Sequence, residues 1–175
     1  MEWERLIDDL SAQFDSDLSR TRRADAAELA EGEAATVTLA DRIRGARGKT
    51  ISVSSGDGAV LTGVVRRSGE RWVLLCTERA HVLINLDCVS LVFPLGNAAP
   101  PAGLVDAKLE MAHLLRRIAR SRQRVGIHAG VRSLVGYLAA VRHDHVDFVD
   151  ESALGARVSI PFRAIFSVTH AEGIV

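Results

Sequence analysis

Cysteine is nearly absent from this 175-residue chain, and its two copies, Cys76 and Cys88, are too few for a disulfide framework or a four-thiolate zinc site. No apolar run reaches the roughly 18 to 20 residues of a membrane-spanning helix. A basic segment followed by an apolar one, as in a secretory signal, is missing from the opening MEWERLIDDL. These absences lead us to expect a cytoplasmic protein with no membrane association. Net charge is zero, with 22 Lys+Arg against 22 Asp+Glu, so no global field draws the molecule to nucleic acid. Aromatics are sparse at 5%, which removes most of the stacking surface that single-strand binding wants. Lysine occurs only at 49 and 108, so the positive charge is almost all arginine.

What is present is apolar residue in quantity, 47% of the chain, enough to bury a core and exclude disorder as the main state. Charge is unevenly spread: residues 1 to 40 carry ten acids and four arginines, a balance of −6 against +6 for the remainder.

The chain also repeats itself, which takes precedence over any local reading. Leu39, Ile43, Arg47 and Lys49 match Leu114, Ile118, Arg122 and Arg124. Ile51 and Val53 match Val125 and Ile127. Leu61, Gly63, Val65, Val73 and Leu75 match Leu134, Gly136, Leu138, Val146 and Phe148. Val82, Ile84, Leu86, Val89 and Val92 match Val158, Ile160, Phe162, Ile165 and Val168. The offset drifts between 73 and 76 only where turn residues lie.

Each copy reads as a helix followed by short strands: in the first, 51–53, 59–65, 71–76, 81–84 and 89–93, from alternation and β-branched content. Gly63 and Gly136 interrupt equivalent strands, as at a bulge or bend. Asn85-Leu86-Asp87 and Pro161-Phe162-Arg163 suit a tight 3₁₀-like turn before the last strand. The order helix, strand, glycine-bent strand, strand, strand, tight turn, strand resembles the Sm-like or SH3-like small barrel, twice over. The whole chain resembles a group of actinobacterial proteins that open with an M-E-W-E-R-L type helix and continue into such barrels. The resemblance implies two tandem five-stranded barrels in an α+β, mainly β protein, each preceded by a helix. It implies no Sm-type RNA site, since the asparagine position of that site holds Trp72 and His145, and the arginine-glycine turn holds Leu86-Asp87 and Phe162-Arg163.

The expected organisation is therefore an N-terminal helical segment over 1–38, helix plus barrel over 39–95, a Pro/Gly linker over 96–105, and helix plus barrel over 106–175. Trp3, Leu6, Leu10 and Phe14 share one face of a long amphipathic N-terminal helix and are the candidate protein-interaction or self-association residues.

Chemistry-bearing groupings are few. His143, Asp144, His145 and Asp147 are the one grouping of metal-ligand residue types; His143, His145 and Asp147 would share a face if one strand carried them, but a hairpin turn explains the grouping better. Ser54 to Gly58 is a hairpin loop lacking the lysine of a phosphate loop. No pair of groups is spaced for acid-base or nucleophilic work, so we expect no enzyme, cofactor or metal. Two arginine runs stand out, Arg42, Arg44, Arg47 and Lys49 in copy one and Arg116, Arg117, Arg120, Arg122 and Arg124 in copy two. Each lies at the end of a leading helix, where the dipole favours cations and where phosphate could also bind. The leading expectation is a non-enzymatic protein-interaction or scaffold protein; the alternative is RNA or DNA binding through the arginine runs.

Overall fold

The computed structural model describes residues 35–97, 100 and 109–170, and these are mostly antiparallel sheet. The N-terminal segment with Trp3, Leu6, Leu10 and Phe14 lies outside the described residues, as does most of the linker. Helix α1 is Leu39–Gly45 and α2 is Met111–Ser121. Copy one supplies β1 Thr50–Ser55, β2 Val60–Ser68, β3 Trp72–Cys76, β4 His81–Asn85 and β5 Val89–Phe93. Copy two supplies β6 Arg124–Ala129, β7 Arg132–Val141, β8 His145–Asp150, β9 Ala156–Pro161 and β10 Ile165–His170.

The expected pair of closed barrels is not what forms. All ten strands make one open sheet, in the order β5-β1-β2-β3-β4-β10-β6-β7-β8-β9. Within each copy the fifth strand returns to the first: β5 lies beside β1, and β10 beside β6. The fourth strand of copy one then pairs with the fifth strand of copy two instead of closing its own copy, with Val82, Leu83 and Ile84 opposite Thr169, Val168 and Ser167. An unpaired strand edge leaves backbone donors and acceptors without partners, and this seam satisfies one edge from each copy at once.

The internal repeat itself is written into the backbone. A 3₁₀ turn precedes the last strand of both copies, Leu86–Cys88 and Phe162–Ala164. The Leu86 N–H donates to the Arg71 carbonyl at 3.0 Å, and the equivalent Phe162 N–H to the Asp144 carbonyl at 2.9 Å. Register slips at Val65/Arg67 between β2 and β3, and at the equivalent Leu138/Ala140 between β7 and β8. Those slips lie beyond Gly63 and Gly136, so the glycines are not the bulges themselves. Their role is close approach: a Cβ at Gly63 would sit 2.7 Å from the Cys76 carbonyl oxygen, and one at Gly136 1.9 Å from that of Val149.

Two apolar clusters form, and the seam crosses between them. Copy one's cluster holds Ile43, Ile51, Val53, Val73, Leu75 and Ile84, yet it also takes Phe166 from β10. Copy two's cluster holds Leu115, Val125, Ile127, Phe148 and Ile165, yet it takes Trp72 and Leu83 from β3 and β4. Because neighbours on a strand face opposite ways, Leu83 points to one cluster while Val82 and Ile84 point to the other. Burying each such large side chain is worth about 1.5 to 3 kcal/mol, so the seam rests on exchanged side chains more than on its short ladder.

Helix α1 begins at a capping box: the Thr38 hydroxyl accepts from the Asp41 N–H at 3.2 Å, and the Asp41 carboxylate accepts from the Thr38 N–H at 2.9 Å. The hydroxyl and N–H of Thr38, then Arg44, hold the Asp41 carboxyl at about 2. Helix α2 turns Met111 and Leu115 into copy two's cluster, with Leu109, Leu114 and Ile118 packed against it. No helix among the described residues is long and apolar enough to cross a membrane.

Candidate functional site

Where the two copies meet, their equivalent turns face each other across a cleft of about 920 Å³. From copy one come Glu70, Arg71, Trp72, Asn85 and Asp87; from copy two come His143, Asp144, Pro161, Phe162 and Arg163, with the start of α2 closing one side. Trp72 is buried and its indole N–H donates to the Leu109 carbonyl, which pins the entry to α2. Asn85 is buried as well, and its amide donates to the Phe162 carbonyl at 3.0 Å. The Cys88 thiol donates to the Arg163 carbonyl at 3.1 Å, so both 3₁₀ turns are stitched together by copy-one side chains. Burial, and after it the Asp87 charge, raises that thiol's pKa, which keeps it in the hydrogen-bonding thiol form.

The cleft has a net acidic lining. Its lining carries four acids, Glu70, Asp87, Glu110 and Asp144, against Arg71 and Arg163. Arg71 is already held by Asp87 through a two-pronged ion pair, which leaves the remaining lining net acidic.

The histidine and aspartate grouping splits as its turn reading requires: His143 and Asp144 are in the loop, while His145 and Asp147 lie on β8. Asp144 contacts His145 Nδ1 at 2.7 Å, and Asp147 is taken by Ser159 at 3.0 Å and Arg142 at 3.2 Å. These hydrogen bonds, His145 first for Asp144 and Ser159 first for Asp147, lower both carboxyl pKa values.

A second cluster, outside the cleft lining, also joins the copies and was not legible in the sequence. His128 Nε2 lies 2.7 Å from Asp57 Oδ2, and its Nδ1 lies 3.1 Å from Ser133 Oγ. Ser55 donates to the same aspartate, as does the Ala59 N–H at 3.2 Å. Those bonds, Ser55 first, then Ala59, then His128, hold the Asp57 carboxyl at about 2. Serine, histidine and aspartate in a row have the connectivity of a hydrolase relay. Here, however, Ser133 and His128 are directly opposite each other on neighbouring strands, and none of the three lines the cleft. The His128 ring also meets Phe166 edge-on with centroids 5.9 Å apart, so the row serves as a polar tie over the seam.

The arginine runs separate into spent and unspent groups. Arg42 donates to the carbonyls of Gly96 at 3.0 Å and Leu95 at 3.2 Å, and Arg44 to Asp41 at 2.6 Å and the Pro100 carbonyl at 3.0 Å. Both therefore tie the linker to α1. In copy two Arg124 pairs with Glu151 at 2.7 Å and Arg116 is half-buried. Arg47, Lys49, Arg117, Arg120 and Arg122 are exposed.

The outer edges of the sheet are the remaining surface, and sequence reasoning gave them no weight. On β5, Leu91 is 64% exposed and Phe93 51% exposed, while their counterparts on β10 are Ser167, 4% exposed, and Thr169. Among the described strands β10 lies between β4 and β6, whereas β5 is at the end of the sheet beside β1. No protein-family model matches this chain, and no curated protein sequence matches it significantly.

Proposed function

We propose that this chain is a non-enzymatic protein-interaction module. One observation carries the reading: β5, of sequence VSLVF, is the end strand of the sheet among the described residues, with β1 on one side only, free of charge and displaying Leu91 and Phe93. An edge of that kind accepts a further strand through backbone hydrogen bonds, with side-chain contacts selecting the partner. It offers nothing to a phosphate backbone. The net-acidic cleft beside the seam supports the same preference, since nucleic acid is repelled there. The test is co-purification from native lysate, with and without nuclease, comparing the unmodified chain with Leu91→Lys. Protein partners that survive nuclease and are lost in the variant are expected; a nuclease-sensitive set indifferent to Leu91→Lys would overturn the reading.

Nucleic-acid binding remains the second reading because Arg117, Arg120 and Arg122 stand exposed at the C-terminal end of α2. Among the arginines of copy two, this reading rests on these three, since Arg116 is half-buried and Arg124 is ion-paired with Glu151. Changing them together to Glu would then abolish binding to RNA or DNA and flatten its salt dependence.

A further inference from the structure

The repeat supplies four kinds of strand edge, and the seam shows what a joining edge looks like here. At the seam the side chains that cross into the other copy's cluster are Trp72, Leu83 and Phe166, with Leu74 packed beside them. At the two outer ends the repeat puts His145, Ser159, Ser90 and Asp147 in those same positions. Ser159 is occupied by Asp147, and β9 ends at Pro161, which has no N–H to donate. The seam's exchange of apolar side chains is therefore not available end to end between chains: β9 presents polar groups, and β5 has Ser90 where Phe166 crosses at the seam.

The other face of β5 goes the opposite way. The seam's small side chains, buried Ser167 and half-buried Thr169, are replaced there by the large exposed Leu91 and Phe93. Nothing charged, and no proline, interrupts residues 89–93, although edges left to solvent are ordinarily protected by such residues. An uncharged strand laid antiparallel on its own copy opposes no like charges. Full overlap sets Leu91 against Leu91 and Phe93 against Val89 of the second copy. That ladder of five residues exceeds the three paired positions that already join β4 to β10.

From this geometry we infer that two copies of the chain join through their β5 edges about a two-fold axis, giving one sheet that runs through both molecules. The inference rests on the protein-interaction reading and names the partner as this same chain. A two-fold contact is self-complementary and closes at two copies, so it neither propagates nor leaves the apolar edge open.

The experiment is sedimentation equilibrium on the full chain over a wide concentration range, with circular dichroism on every variant. The unmodified chain should show monomer and dimer only. Leu91→Lys should weaken the dimer by at least roughly tenfold, by setting like charges opposite one another, while spectrum and melting temperature hold. Leu91→Cys should form an oxidised dimer with itself beyond any seen with the native Cys76 and Cys88. A monomer at all concentrations would overturn the inference, as would a dimer indifferent to Leu91→Lys. Masses that grow beyond two copies, with Leu91→Cys linking only to Val158→Cys, would overturn it in favour of end-to-end joining. If the chain is monomeric but Leu91→Lys still loses a nuclease-resistant lysate partner, the self-pairing fails and the interaction module stands.

Discussion

The seam between the copies and the outer ends of the sheet occupy equivalent places in the repeat, yet they are chemically opposite. At the seam Trp72, Leu83 and Phe166 are each 5% exposed or less and cross into the neighbouring cluster. At the ends their counterparts are His145, Ser159 and Ser90, none of them fully buried. The difference teaches that the two halves are specialised: the join is built for one use, inside the chain. A duplicated unit keeps its backbone pattern because both halves need it to fold. The side chains at each edge are free to diverge once one edge is covered and the other is not.

Exchanging residues between the two regions gives the largest expected effect. Trp72→His, which installs the end residue at the seam, removes a fully buried indole and the hydrogen bond that pins α2. It should cost about 3 to 5 kcal/mol in chemical unfolding, in the range of large-to-small core changes. A loss below about 1 kcal/mol would mean that the copies are held together elsewhere.

Leu83→Ser comes next, at about 2 to 4 kcal/mol, from the lost apolar volume and a hydroxyl buried among aliphatic groups. The reverse change, Ser159→Leu, should stay within about 0.5 kcal/mol because the position is exposed. If the pair were to cost equal amounts, the specialisation of the two edges would be wrong.

Thr38→Ala tests a feature that only copy one has in this form, the Thr38–Asp41 box. Loss of the cap should cost about 1 kcal/mol by thermal melting. In copy two the equivalent helix start uses Glu110 and His113, whose Nδ1 accepts from the Glu110 N–H at 3.3 Å.

The smallest effect is acid-dependent and concerns the tie over the seam. Asp57 has its pKa held at about 2 against an ordinary 3.8, so its folded form favours the carboxylate. The stability it supplies is therefore complete above about pH 4 and is lost as pH falls through 2. Urea midpoints for the unmodified chain and Asp57→Asn should differ at pH 6 and converge towards pH 2. A difference independent of pH would show that the contact with His128 and Ser55 does not depend on charge.

Much of the fold was legible because its signals are local. Strand positions followed from alternation, and all five expected in copy one appear within two or three residues of their bounds. The two 3₁₀ turns followed from Asn85 and Pro161, residues that disfavour continued pairing. Cys88 carried no signal in the sequence beyond its scarcity, whereas its thiol reaches a carbonyl of the other copy, a contact 75 residues away that no local pattern carries. The arginine runs were visible as runs, but which arginines are spent depends on where the linker carbonyls come to rest.

Sequence pattern alone sufficed for the repeat, the five strands of copy one, the helix that leads each copy, and the alternation that assigns a side chain to one face or the other. Those properties depend on neighbours within a few residues, where steric preference and period already decide. Whether β4 closes on its own copy or pairs with β10 was settled only in tertiary structure. So were the meeting of Asp57 with His128, 71 positions apart, and the exposure of Leu91 where Ser167 is buried. A strand edge bonds equally well to any backbone of the right direction, so the choice falls to the side chains that the pairing would bury. In this chain those are Trp72, Leu83 and Phe166, which find apolar surroundings only across the seam.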